Sequence, residues 1–120
     1  MSTKYVITFS NCTESGIESP EKIYKQSVIE FVTEVLAAAA KNEGYNLDNC
    51  TAYPVNGMYK GVAESSFRLE YIADIPVEYM LGLAIWIKKE YRQESILLEI
   101  YKNGEYKAEL IFNTNNVVEL

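Results

Sequence analysis

Lys60, Arg68, Lys88, Lys89 and Arg92 are a minority of cations in an acidic chain, with Tyr53, Tyr59, Tyr91 and Tyr101 near them in sequence and Gln93 beside Arg92. A guanidinium grips phosphate through paired hydrogen bonds, a tyrosine face stacks on a base, and a glutamine amide both donates and accepts at a base edge. Such a set suits a small nucleotide. Tyr59, Lys60, Arg68, Lys88, Tyr91, Arg92 and Gln93 are therefore the candidate ligand-binding residues. The plainer reading is that the tyrosines fill the core with a wet hydroxyl and the lysines solvate a helix end.

Catalytic chemistry is harder to find. The chain has no histidine, which removes the usual general base, proton shuttle and metal ligand near neutral pH. The six glycines are scattered and form neither GxGxxG nor GxxxxGK[ST]. Glu70, Asp74, Glu78, Glu99 and Glu109 have no distinctive spacing, and solvated faces account for them. On these grounds no catalytic residue, metal site or cofactor is assigned, and the chain is not expected to be an enzyme.

Seventeen acidic against eleven basic residues give a net charge of -6, which repels a polyanion as a whole and disfavours a duplex nucleic acid partner. No apolar run approaches the roughly 20 residues that a bilayer span needs, and the first residues lack the apolar segment of a signal peptide. The reading is cytoplasmic, with no membrane partner; for a phage protein that means the host cytoplasm. Cys12 and Cys50 then read as free thiols. Each sits in Asn-Cys-Thr, at 11–13 and 49–51, better explained as polar boundary segments than as glycosylation acceptors.

Hydrophobic residues make up 48% of the 120 positions and charged ones 23%, ordinary globular usage for one domain. We assign residues 1–112 to it and 113–120 to a C-terminal tail. Tyr5, Ile7 and Phe9 alternate on a first strand. Ser19-Pro20-Glu21 has the chemistry of a helix start, Tyr24, Val28, Phe31, Val32, Val35 and Ala39 mark its apolar stripe, and Gly44 supplies its stop. An edge strand from Thr51, interrupted by Pro54, turns at Asn56-Gly57 or Lys60-Gly61 into a return strand with Phe67, Leu69 and Tyr71 inward.

Asp74-Ile75-Pro76 opens a second helix, with Val77, Leu81, Ala84, Ile87 and Tyr91 on one face. The two runs flanking Asn103-Gly104 form a hairpin. The order strand, helix, strand, strand, helix, strand, strand (βαββαββ) predicts a ferredoxin-like two-layer α+β sandwich, with both helices on one face of an antiparallel sheet. The opposite face carries Val6, Arg68, Glu70, Ile72, Leu97, Glu99 and Tyr101. It is half apolar, which marks an interaction surface. Val6, Ile72, Leu97 and Tyr101 are the candidate interface residues of a homo-oligomer.

Gly57, Tyr59, Glu64 and Ser65, followed by Tyr91-Arg92-Gln93-Glu94-Ser95-Ile96-Leu97, resemble a group of small bacterial and phage proteins known as a domain of unknown function. Their pattern is Gly-x-aromatic, then Glu before a small residue and a strand, then a helix ending in Tyr or Phe, one residue, and Gln-Glu-Ser-Val-Leu. Size, acidic balance and the two-helix sandwich also resemble the Thoeris anti-defence sponges, phage proteins that sequester cyclic ADP-ribose-type signals without cleaving them. That resemblance implies an oligomer with nucleotide pockets at subunit interfaces. The function expected from residues and resemblance together is a non-enzymatic, phage-type anti-defence protein that sequesters a small cyclic nucleotide as a homo-oligomer. The alternatives are an acidic inhibitor that binds a host defence enzyme, or a structural or regulatory oligomer without ligand.

Overall fold

The computed structural model describes residues 3–10, 26–59, 61–93, 95–113 and 116–119. The polar loop after Ser10, Cys12, the helix start at Ser19-Pro20-Glu21, Tyr24, Lys60 and Glu94 lie outside them.

The elements are β1 (Thr3–Ser10), α1 (Gln26–Asn42), β2 (Cys50–Tyr59), β3 (Val62–Ala73), α2 (Val77–Glu90), β4 (Ile96–Lys102), β5 (Glu105–Asn113) and β6 (Asn116–Glu119). The strands form one sheet in the order β2-β3-β1-β4-β5-β6, antiparallel throughout. Its first four positions are the ferredoxin-like arrangement, with β1 between β3 and β4. β5 and β6 extend it beyond β4. The segment read as a tail therefore contributes a sixth strand, with Leu110 opposite Val118.

Alternation along the strands sends one set of side chains into the core. Tyr5, Ile7, Phe9, Phe67, Leu69, Tyr71, Ile96, Leu98, Ile100 and Ile111 are buried there with residues of both helices. Each such large apolar side chain contributes roughly 1.5–3 kcal/mol by leaving water.

On α1 the stripe differs from the expected one. Ile29, Val32, Leu36 and Ala40 are buried, whereas Phe31 is 52% exposed and Val35 and Ala39 are half-buried. Both stripes satisfy spacings of three and four, and their centres differ by a rotation of one residue, which periodicity alone does not resolve in so apolar a helix. On α2, Met80, Leu83, Ala84, Ile87 and Lys88 face inward, while Val77, Leu81 and Tyr91 pack at the margin of the core.

The turns follow their local chemistry. Asn103 (φ 54°) and Gly104 (φ 78°) both lie in the left-handed region, the signature of a type I′ hairpin. The turn between β2 and β3 is made at Gly61 (φ 79°), while Gly57 stays within β2 opposite Glu64. Pro54 is accommodated because β2 is an edge strand. Tyr5 Oη donates to the Ile75 carbonyl at 2.5 Å, pinning the start of α2 to the central strand.

Candidate functional site

Both helices end in the same hydrogen-bond motif. In α1, Gly44 (φ 81°) donates to Lys41 O at 3.1 Å and Tyr45 to Ala40 O at 2.8 Å. In α2, Arg92 donates to Lys89 O at 3.3 Å and Gln93 to Lys88 O at 2.9 Å, with Arg92 (φ 51°) in the left-handed position. This is a Schellman stop in which arginine stands where glycine is usual.

Several expected ligand residues are thereby assigned to the joint. Gln93 is only 1% exposed, and its Nε2 donates to Tyr91 O at 3.3 Å. Lys88 is buried on the inner side of α2. The Tyr91 ring stacks on Phe9 with centroids 6.2 Å apart. Arg92 is exposed. Tyr59 ends β2 opposite Val62, and its side chain lies outside the description, as Lys60 does entirely.

Arg68 does not join this group. Alternation puts it on the sheet face turned away from the helices, because Phe67 and Leu69 on either side are core residues. The expected nucleotide cluster is thus divided between two layers of the sandwich. Residues close in sequence around a helix end do not share a face with a residue on a strand whose neighbours are buried.

What Arg68 does meet is a polar network on the outer face. Register sets it up: Val6 lies opposite Glu70 on β3 and opposite Glu99 on β4, so the two carboxylates flank the central strand. The Arg68 guanidinium crosses β1 to reach Glu99 Oε1, with Nη1 at 3.1 Å. Its Nε donates to the Tyr53 hydroxyl at 3.0 Å, and that hydroxyl donates to Glu70 Oε2. Lys4 Nζ lies 3.2 Å from Glu70 Oε1 and 5.3 Å from the centroid of the Tyr101 ring. Glu99 Oε2 accepts from Tyr106 Oη at 2.8 Å and from Tyr101 Oη at 3.3 Å. The two rings meet at 4.9 Å between centroids.

The charges respond to these partners. The Tyr53 hydroxyl, backed by Lys4 and Arg68, outweighs partial burial and holds the Glu70 carboxyl below its usual range. Burial opposes the charge on Arg68, but Tyr53, Glu99 and Glu70 more than offset it and raise its pKa. The hydrogen bond to Glu99 raises the Tyr106 pKa, with burial adding to it; for Tyr101, burial leads and Glu99 follows. Of the four buried side-chain oxygens among the described residues that lack a hydrogen-bond partner, Thr8 Oγ1 and Glu99 Oε1 lie on this face, the latter held in the ion pair with Arg68.

The expected interface residues divide accordingly. Val6 is 0% exposed because the side chains of Glu70, Glu99 and Arg68 close over it, so it presents no surface to a partner. Ile72 is 71% exposed and Tyr101 37% exposed, both beside Lys4, whereas Leu97 is half-buried and lies beside Thr8 towards the other end of β1.

The network pairs a nearly buried carboxylate with phenol donors, two cations and two exposed aromatic rings. It can hold a zwitterion: a cationic group against Glu99 and Glu70, a carboxylate against Arg68 and Lys4, and a flat ring on Tyr101 or Tyr106. Among the described residues, the charged side chains lining a cleft of about 390 Å³ between α1 and β2 are Glu30, Glu34 and Asp48, with no cation among them for a ligand carboxylate. Among the described residues no group of three or more histidine, cysteine or acidic side chains is placed to hold a metal. No described helix is long and apolar enough to cross a membrane.

No family model matches the chain, and no curated protein does. Among solved structures, a phage SAM lyase in its apo state is similar at 20% identity with a TM-score of 0.62, over 98% of this chain and 87% of that one. The likeness establishes the fold. It also corrects the expectation that the chain is not an enzyme, because a protein sharing this architecture nearly end to end is a lyase. The absence of histidine excludes particular mechanisms, not catalysis on this fold. The neighbour is a SAM lyase and not a Thoeris sponge.

Proposed function

We propose that the chain is a phage-type anti-defence enzyme that binds S-adenosylmethionine (SAM) on the outer face of its sheet and cleaves it as a lyase. The observation carrying this reading is the nearly end-to-end likeness to a phage SAM lyase. Since fold alone never assigns activity, the chemistry of the face has to agree with it.

SAM carries a sulfonium and an ammonium cation, a carboxylate and an adenine ring. Glu99 and Glu70 suit the cations, Arg68 and Lys4 suit the carboxylate, and the Tyr101 and Tyr106 rings suit the adenine. A sulfonium is a good leaving group. Breaking its bond to Cγ of the amino-acid chain returns the electron pair to sulfur and releases a neutral thioether. If the substrate carboxylate attacks Cγ, the new C–O bond replaces the C–S bond and no proton has to move. A chain without histidine suits that route, because its task reduces to bending the substrate and stabilising shifting charge. Loss of SAM would deprive a host of the methyl donor on which SAM-dependent defences rely.

The test is to incubate the purified protein with SAM and follow the mixture by mass spectrometry. Methylthioadenosine should accumulate as SAM disappears, and Glu99→Gln should slow this by about 100-fold or more. SAM recovered intact after prolonged incubation with folded protein would overturn the reading.

A further inference from the structure

Two acceptors on the outer face are left unsatisfied close to one another. Glu99 is 8% exposed. Its Oε2 takes both phenol donors, Tyr106 and Tyr101, while its buried Oε1 accepts no hydrogen bond, although Arg68 Nη1 lies 3.1 Å away. The guanidinium is near enough to pair but is not aligned to donate. The Thr8 hydroxyl is likewise buried and has no hydrogen-bond partner among the described residues. Register makes these side chains neighbours. Thr8 lies opposite Arg68 on β3 and opposite Leu97 on β4, so Glu99, two residues beyond Leu97, is its diagonal neighbour on the same face. The line from Arg68 to Glu99 crosses β1 between Thr8 and Val6.

A buried polar group without its hydrogen bond is costly, and a native chain that keeps two together calls for a reason. We infer that Glu99 Oε1 and Thr8 Oγ1 are the seat of a ligand ammonium, and that Arg68 is its stand-in. The ammonium displaces the guanidinium from Glu99 and donates to both oxygens, and the released guanidinium takes the carboxylate of the same α-amino acid. The inference rests on the SAM-lyase reading for the nucleoside that this amino-acid head carries, but not for the head itself.

The exchange is balanced in charge. Glu99 has a cation beside it before and after, so its desolvated carboxylate is never left alone. An ammonium has three donors, enough for both oxygens. A sulfonium has none, so of the two cations of SAM only the ammonium satisfies this seat. Arg68 is suited to giving way, being the more exposed partner at 26% against 10%. Its Nε also keeps the Tyr53 hydroxyl, at 3.0 Å, when Nη1 lets go. The fork therefore stays beside Glu99, where an α-amino acid brings a carboxylate one carbon from its ammonium. Thr8 becomes the residue that distinguishes a ligand with an amino-acid head from a nucleoside without one.

Calorimetric titration with S-adenosylhomocysteine and with methylthioadenosine tests this. The first carries the head and the second lacks it, and neither has a sulfonium to leave, so binding is read without turnover. The wild type should bind S-adenosylhomocysteine at least about tenfold more tightly. Thr8→Val should remove most of that difference while leaving methylthioadenosine binding unchanged, and Thr8→Ser, which keeps the hydroxyl, should restore it. The melting temperature of ligand-free Thr8→Val should not fall, because valine keeps the shape and removes an unsatisfied hydroxyl. Equal binding of the two compounds by the wild type, or a Thr8→Val that weakens both alike, weakens neither or loses stability instead, overturns the inference. Cleavage of SAM is measured separately. A protein that shows the Thr8-dependent difference but leaves SAM intact keeps this inference and loses the lyase reading, and one that cleaves SAM with the same KM in Thr8→Val does the reverse.

Discussion

Arg68 on β3 reaches over the central strand to Glu99 on β4, with 3.1 Å between Nη1 and Oε1. That span ties together strands that share no hydrogen bonds with each other and covers Val6 in passing. The pair is not fully buried: the side chains are 26% and 10% exposed. Removing the cation alone leaves Glu99 largely desolvated with only two phenol donors. Arg68→Ala should therefore destabilise the fold by about 2 kcal/mol, below the 3–5 kcal/mol of a fully buried pair. The double variant Arg68→Met with Glu99→Leu should recover part of that loss. Urea denaturation of the variants measures both.

Stability should also depend on pH through the same face. Glu70 has its pKa lowered on folding, chiefly by the Tyr53 hydroxyl. A lowered carboxylate contributes stability that is present above its unfolded value, near 4.5, and is lost as pH falls through the folded one. At the alkaline end, Tyr106 and Tyr101 have raised values. Their contribution is complete below about 10 and disappears as pH rises through the folded values. Denaturation midpoints across pH should show a plateau with both shoulders. Glu70→Gln should flatten the acid shoulder and Tyr106→Phe the alkaline one.

The α2 stop makes a prediction of opposite sign. Arg92 holds φ 51°, a conformation costing a side chain about 1–2 kcal/mol. Glycine avoids that cost while losing about 0.5–1 kcal/mol of chain entropy. Arg92→Gly should thus stabilise the protein by about 0.5–1 kcal/mol, and Arg92→Val should destabilise it by more than 1 kcal/mol. Thermal melts distinguish these outcomes.

Gln93 separates a joint from a binding residue. It is 1% exposed and bonded to Tyr91 O, so Gln93→Ala should lower stability by about 1–2 kcal/mol. SAM cleavage, measured at a temperature where the variant stays folded, should remain within about threefold of wild type. A large loss of cleavage with unchanged stability would return Gln93 to the site.

Much of the architecture is legible in the sequence. Asn103-Gly104 declared its hairpin, the alternation of β1 and β3 separated core from outer face, and the element order led to the ferredoxin-like sheet. Other features depend on information that a linear pattern does not carry. The buried stripe of α1 lies one residue from the expected one because alternative stripes in an apolar helix share the same spacing. Strand β6 is only four residues long and follows a run of asparagines, so its local signal was that of a tail. The charges near Gln93 resemble a ligand grip, whereas the backbone amides there close a helix with no glycine at its stop. Glu70 and Glu99 read as solvated positions without distinctive spacing, and Tyr53 as a stacking ring near the cations. Only strand order and register bring residues so far apart in sequence beside Arg68.

Placing β1 between β3 and β4 also bears on how the chain is made. Thr8 finds its neighbours at Arg68 and Leu97, so β1 is synthesised before either partner strand and waits for β4 before both its edges are paired. Until then Tyr5, Ile7 and Phe9 have no finished core, and contacts this distant in sequence form slowly. A nascent or truncated chain ending before β4 would carry the middle of its sheet as a bare apolar edge, making translation the stage at which this protein is most exposed to aggregation.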